Sequence, residues 1–469
     1  MRTIQTTRRD FLGMSAALAA ALTGCAQTQG EQAGSAAATT TAATTSTARE
    51  TITCSEGSAH AITVSGESKA YRAVDVVKTG DADGDEADFY GTNAAVYAEQ
   101  GGELSLDDIT VDCNGAHANA VFSYGEGTKV TIANSTIHTT SNCSGGIMVT
   151  GGGTLEAHDL TIHTTGNSSA AIRSDRGGGT QVVDGGSYTT DGTGSPVIYS
   201  TADVSVSNAQ LTSTASQGVV VEGKNSVTLK DCELTASNTT KNSDKSDWYQ
   251  AVMIYQSMSG DAAEGEASFG MSGGTLHNAN GDVFFVNNTV ATIELSKATI
   301  TNADASGVLL RAAAAGWGNE GSNGGQVTLR ATQQQLEGQM LADEVSHINL
   351  YLADGSDYAG AINASGAAGE VYVELTGSST WTLTADSHIT ALSCDATGVN
   401  LNGYALYVGE TAYVAGTAST GSAIEAQVSA GGGPGGQGGP GGEPPAAPPD
   451  GGQGGPGGGD GTPPEKPSA

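Results

Sequence analysis

Several groups of residues have types and spacing that could do chemistry. The densest charged motif is Arg173-Ser174-Asp175-Arg176, followed by three glycines at 177–179. In a solvated turn such Arg–Asp pairing is worth under about 1 kcal/mol. Asp81-Ala82-Asp83-Gly84-Asp85 has the alternating carboxylates that open a calcium loop. An EF-hand wants Gly at its sixth position and Glu at its twelfth. Those positions hold Glu86 and Thr92, so that reading fails and leaves a weaker calcium site on Asp81, Asp83 and Asp85 or an acidic surface turn. His138 and His163 share one slot of a repeated TIHTT segment. They should stack about 5 Å apart and point outward. Zinc wants a third and usually a fourth ligand, and none is in register, so a surface pair is expected. Trp317 with Asn319 and Glu320, and Trp248 with Tyr249, lie in two insertions. Flat rings flanked by amides and carboxylates can hold a sugar face. The same rings could instead anchor the insertions. Trp381 keeps the core register.

The elements that must position these residues come from one repeat. Between residues 104 and 238 a pattern returns every 23 to 28 residues, with Ile109, Ile137, Ile162, Tyr188, Leu211 and Leu234 as equivalents. Each unit holds three short apolar or β-branched runs with strand alternation, separated by Gly, Asn, Ser, Asp and Thr. Ile147, Ile172 and Ile198 each follow their reference residue by 10. Three strands per turn, stacked on themselves, make a parallel β-helix. Asn114, Asn142 and Asn167, each 5 residues past the reference, predict a coil-to-coil hydrogen-bond ladder. Beyond Leu234 the register continues through insertions at 239–249, 257–267 and 312–325. Roughly a dozen coils at about 4.8 Å each would make a rod roughly 55–60 Å long. Residues 51–103 are less regular and are expected to form the first coils and an end cap.

Residues 1–24 read as an address. Arg8-Arg9 before Phe11-Leu12 resembles a twin-arginine export signal, and Leu22-Thr23-Gly24-Cys25 resembles a lipobox. That resemblance implies an exported chain lipidated at Cys25 and held at the extracytoplasmic membrane surface. Residues 25–50 form an Ala/Thr-rich tether, 51–426 the β-helix, and 427–469 a Gly/Pro-rich tail that cannot bury a core.

Fifty acidic residues stand against 18 basic ones, for a net charge of −32. The leader carries Arg2, Arg8, Arg9 and Asp10, a net +2, so the remainder is near −34. This excludes nucleic acid as a partner, because that needs a basic footprint. It also disfavours bare polyanionic glycans unless a divalent cation bridges them. Cys54, Cys113, Cys143, Cys232 and Cys394 are too sparse and odd in number for a disulfide framework.

The architecture over about 51–415 resembles the right-handed parallel β-helix superfamily of pectate lyases and polygalacturonases. The whole chain resembles bacterial adhesin-like β-helix lipoproteins. Lyases of that superfamily hold calcium on carboxylates from neighbouring coils and use an arginine as base. By that resemblance Arg173 or Arg176, with Asp175 and Asp203, would be the catalytic set. The Gly-His-Gly and Arg-x-Lys of polygalacturonases are absent. The expectation is therefore a lipid-anchored module that recognises a glycan or cell surface without catalysis. A polysaccharide lyase or hydrolase and a structural spacer are the alternatives.

Overall fold

A computed structural model describes residues 49–241, 245–366 and 368–425, with the backbone alone of Asp85. The leader, Cys25, the tether to residue 48 and the tail lie outside the described residues. The described chain is a parallel β-helix with three long sheets. The first sheet has 10 strands, from Glu50–Cys54 to Thr299–Asn302, and the second has 11, from Ile62–Ser65 to Gln339–Ala342. The third has 14, from Ser68–Arg72 to Ser419–Thr420. Along most of the rod each strand pairs with the strand three places later, so every coil adds one strand to each sheet. The pairing turns antiparallel only near the C-terminal end, at Ser393↔Thr420 and Tyr407↔Ala412. A four-stranded sheet from Gln335–Glu337 to Val399–Asn400 carries Leu336, Tyr358, Trp381 and Val399 in one column.

The inward column of the first sheet runs Ile52, Val76, Val111, Ile137, Ile162, Tyr188, Leu211, Leu234, Leu276 and Ile300. The expected equivalent Ile109 is displaced: Val111 pairs with Ile137. Ile109 is also buried, at 1% exposure, but it lies just past the bend that enters the sheet. Two inward isoleucine-like residues two apart are indistinguishable by hydropathy alone. The bend begins in each coil with a left-handed residue three before the inward column: Asp108, Asn134, Asp159, Gly185, Asn208, Asp231 and Gly273, with φ between 51° and 73°, followed by a second left-handed glycine at Gly186 and Gly274. Asn, Asp and Gly enter that region at the lowest cost.

The turn from the first to the second sheet is tied coil to coil by side chains. Asn142 Oδ1 accepts the Asn167 N–H at 2.9 Å, and Asn167 Oδ1 accepts the Thr193 N–H at 3.0 Å. Asn142 and Asn167 thus bond the next coil's backbone rather than one another, whereas Asn114 falls two positions out of that register and accepts from Thr140 Oγ1 at 3.1 Å. Beneath them runs a buried serine ladder that the asparagine pattern does not show. The N–H groups of Ala118, Ser144 and Ser169 donate to Oγ of Ser144, Ser169 and Ser195 at 2.9–3.0 Å. Each hydroxyl therefore satisfies a backbone donor that would otherwise be buried unpaired.

The second sheet differs from the others because, between its two end strands, most of its length is buried on both faces. Its outward column reads Tyr97, Phe122, Met148, Arg173, Tyr199, Val220, Met253, Phe285 and Arg311. Strands such as Val121–Tyr124 and Asp282–Asn287 are accordingly buried throughout rather than alternating. Four inserted segments cover this face. Residues 51–103 form the first coils, and within them 79–95, with the helix Asp85–Tyr90, lie along the flank of the rod. Thr150, on the second sheet, donates to the Phe89 carbonyl at 2.7 Å. The helix ends at Gly91 (φ +71), where a Cβ would meet the Phe122 ring at 2.8 Å. Residues 239–249 and 257–264 come next along the rod, and 313–324 after them.

Candidate functional site

The insertions leave two small apolar clusters on the flank with a polar belt between them. Tyr97, Phe122, Tyr124 and Met148 pack beneath Tyr90 and Ala94 on one side. Val220, Met253, Tyr255, Phe285 and Trp317 pack together on the other. Arg173 lies in the belt, inside the strand Ile172–Ser174 rather than in the turn after it. Its outward position in a buried sheet is what places a guanidinium where its column neighbours are Met148 and Tyr199.

Arg173 and Asp175 are each 2% exposed, so the motif is not a solvated turn. Arg173 Nη2 donates to Asp175 Oδ2 at 3.1 Å, and Nη1 lies 3.8 Å from Asp88 Oδ1 on the helix. Burial pushes the Asp175 carboxyl up to about 7, against the downward pull of Arg173. Arg176 closes the belt from above. Its Nε donates to Asp261 at 2.8 Å and its guanidinium sits 3.9 Å over the Phe89 ring, so it joins the helix insertion to the 257–264 loop. Asp203, the further carboxylate that the lyase resemblance offers, is exposed on the third sheet and accepts from Ser226 at 2.7 Å. A substrate in solvent does not meet Arg173 or Asp175; both lie behind the insertions.

Two features of the belt escape a motif search. Glu222 is 1% exposed and accepts from Tyr199 at 2.5 Å, from Tyr255 at 3.1 Å and from Ser257. Burial raises its pKa. The second feature is a group formed by Asp88, His117 and Cys143. His117 Nδ1 lies 3.1 Å from Asp88 Oδ2, and the imidazole pKa rises to about 10, chiefly through Asp88 and then Cys143. Neither Asp88 Oδ1 nor His117 Nδ1 has a hydrogen bond, although both atoms are shielded from solvent.

The remaining expected site residues are placed as follows. Trp317 is 6% exposed and packs edge-on against Tyr255 with ring centroids 5.2 Å apart, which is the geometry of an anchor. Trp248 packs on Phe285 at 5.5 Å and lies under the Arg311 guanidinium at 4.4 Å. Tyr249 is half-buried and its hydroxyl reaches the Thr239 carbonyl at 3.5 Å. Asn319 and Glu320 are exposed. Asp81 accepts the Ala116 N–H at 2.8 Å and so fastens its loop to a coil, while Asp83 is exposed. The Asp85 side chain lies outside the described residues. His138 and His163 stack outward on the first sheet, 5.6 Å apart and 43% exposed, with Asp191 at 2.7 Å from His163. The five described cysteines are free.

Next to the exposed Asn319–Glu320 tip the last insertion lines a pocket of about 810 Å³ with Glu320, Asn323, Asp343 and Glu344 and with small residues that include Ala314, Gly318 and Ala368. Asp343 is engaged: it accepts from the Ala314 N–H at 2.7 Å and from Ser346 at 2.6 Å. Asn323 is 4% exposed, and both of its N–H bonds go to backbone carbonyls, at Ala315 and Trp317. Its Oδ1 accepts no hydrogen bond. No protein-family model, curated protein or solved structure matches this chain.

Proposed function

We propose that the chain is a non-catalytic recognition module that binds a neutral glycan in the pocket of the last insertion. The observation that carries this reading is the pocket itself, which sets the exposed carboxylates Glu320 and Glu344 beside a lining of alanines and glycines. Sugar hydroxyls are donors that carboxylates take, and the alanine and glycine lining suits the C–H face of a pyranose. Carboxylates at the rim repel uronates, in line with the net charge of −32. The aromatic platform expected from Trp317 is replaced in this reading by the shape of the loop that Trp317 anchors. Export by the twin-arginine route and a lipid on Cys25 would display the rod at the membrane surface, as in the adhesin-like β-helix proteins it resembles. Calcium is not required by this donor set, since a neutral ligand needs no bridging cation.

The test is binding of the full chain to arrays of neutral and uronate-containing oligosaccharides, followed by calorimetry on the hits and an assay for released reducing ends. Neutral sugars should bind and uronates should not. The double variant Glu320→Gln, Glu344→Gln should weaken binding about tenfold, roughly 1.4 kcal/mol. Unchanged affinity in that variant, or release of sugar ends, overturns the reading.

A further inference from the structure

The residues of the Asp88–His117–Cys143 group come from three places in the chain. Asp88 is on the flank helix, and His117 and Cys143 are in the turns of two successive coils. Those turns share one register. His117 follows Val111 by six residues and Cys143 follows Ile137 by six, and Val111 pairs with Ile137. Ser168 and Gly194 continue the column, and all four residues have φ between 50° and 63° or close to it: 52°, 55°, 53° and 63°. Left-handed backbone favours glycine and small polar residues. A histidine and a cysteine stand there only at the two coils where Asp88 projects from the helix above.

We propose that Asp88, His117 and Cys143 form a binding site for a transition metal of the Zn²⁺ type. The three donor atoms, one oxygen, one nitrogen and one sulfur, all lie within 4.8 Å of one another. Tetrahedral zinc with its usual bond lengths sets such atoms about 3.4–3.6 Å apart, and the His117–Asp88 separation is already 3.1 Å. The thiolate and imidazole donors select zinc over calcium and magnesium, which take oxygen ligands. Asp88 Oδ1 has no hydrogen bond behind a shield of protein, and His117 Nδ1 has no neighbour there but the carboxylate of Asp88, 3.1 Å away, without hydrogen-bond geometry; a buried, under-satisfied carboxylate of this kind suits a ligand without its ion. The charge also balances locally: a thiolate and a carboxylate cancel a dication. Arg173, 3.8 Å from Asp88 and itself paired with Asp175, supplies the outer contact that orients the carboxylate. Three protein ligands leave a fourth position for water. The metal would add a further tie between the helix insertion and two coils, beside the hydrogen bonds from Thr150 to the Phe89 carbonyl and from the Ala116 N–H to Asp81.

The experiment strips the full chain with a chelator and titrates it with Zn²⁺ by calorimetry and elemental analysis, then with Co²⁺ by absorption. One equivalent should bind, and cobalt should give the intense near-ultraviolet thiolate band with the visible bands of tetrahedral geometry. Cys143→Ser should abolish the thiolate band and lower affinity at least tenfold, whereas Cys54→Ser should leave both unchanged. Should Cys143→Ser fail to fold, Asp88→Asn serves in its place: it should keep the thiolate band and weaken binding at least tenfold. The absence of a thiolate band in the parent chain, its persistence in Cys143→Ser, or full affinity in Asp88→Asn overturns the proposal. Binding lost instead on His138→Ala would place the metal on the surface histidine pair and overturn it equally.

Discussion

Replacing Arg173 by methionine separates a buried charge belt from a solvated turn. A solvated Arg–Asp pair is worth under about 1 kcal/mol. Arg173 and Asp175 are both 2% exposed and 3.1 Å apart, and Asp88 is 5% exposed. Removing one member of a buried pair typically costs about 3–5 kcal/mol, because the partner remains buried without its counter-charge. Methionine suits the site in shape, since the neighbour in the same column is Met148. The loss therefore reports charge rather than packing. Arg173→Met should lower the denaturation midpoint by the equivalent of about 3 kcal/mol at unchanged slope. Adding Asp175→Asn should recover at least half of that, because Asp88 keeps His117 at 3.1 Å while Asp175 no longer carries an unpaired charge.

The pH dependence gives an independent check on the same variant. The Asp175 pKa in the folded chain is about 7, raised by burial above the ordinary value near 3.9 in the unfolded one. Between those values the folded state holds the proton more tightly, so this group's contribution to stability falls as pH rises. Arg173 pulls the pKa down, so its removal raises it further. The deficit of Arg173→Met should thus be greatest at pH 8 and shrink towards pH 5. A loss below about 1 kcal/mol at pH 8, or no recovery in the double variant, would refute the belt as a buried ion-paired unit.

The repeat makes further expectations measurable by the same denaturation assay. Tyr188, 0% exposed in a column of isoleucine and leucine, should cost about 3–5 kcal/mol as alanine. His138→Ala, at 43% side-chain exposure, should stay within about 0.5 kcal/mol. Ser169→Ala removes the acceptor of the Ser144 N–H at 2.9 Å and should cost about 1–3 kcal/mol. Gly186→Ala places a Cβ 2.2 Å from the Leu160 carbonyl oxygen at φ +92, so it should destabilise by more than the roughly 1–2 kcal/mol of the backbone penalty alone. A neutral result for Gly186→Ala would show that the coils are less closely stacked than described.

Fold class and strand triplets were legible because a solenoid writes its core into a period. Ile137, Ile162 and Tyr188 announce their column 25 and 26 residues apart, and no tertiary contact between distant segments is needed to place them. The charged motif was legible as a motif but not as an environment. Whether Arg173 faces solvent depends on what covers the second sheet, and the cover comes from segments far away in sequence: Asp88 reaches Arg173 itself, and Phe89 and Asp261, 84 residues before Arg173 and 88 after it, meet on its neighbour Arg176. A local signal did exist. Strands such as Ile147–Thr150 and Val219–Glu222 are buried along their whole length, and an unbroken apolar run points to cover on both faces. The same cover explains Trp317: a ring in a loop reads as exposed until the face beneath the loop is known to be apolar.

The Asp88–His117–Cys143 group was hidden by a smaller matter, the choice of Ile109 over Val111 as the reference of one coil. Counting from Ile109 puts His117 eight residues on and Cys143 six from Ile137, so the two seem unrelated. Counting from Val111 puts both at six, at the same left-handed turn position as Ser168 and Gly194. In a stacked fold a two-residue slip leaves the inward and outward alternation intact, because the side-chain period is two. Hydropathy therefore cannot detect it. The turns can, since each bend begins with a left-handed residue three before the inward column and Asp108 and Asn134 hold that place in the two coils concerned. Asp108 lies 3 residues before Val111 and Asn134 lies 3 before Ile137. Aligning coils on their bends rather than on their apolar residues brings the histidine and the cysteine into one column. What the coil pattern alone does not supply is Asp88, which reaches the column from an insertion outside the repeat.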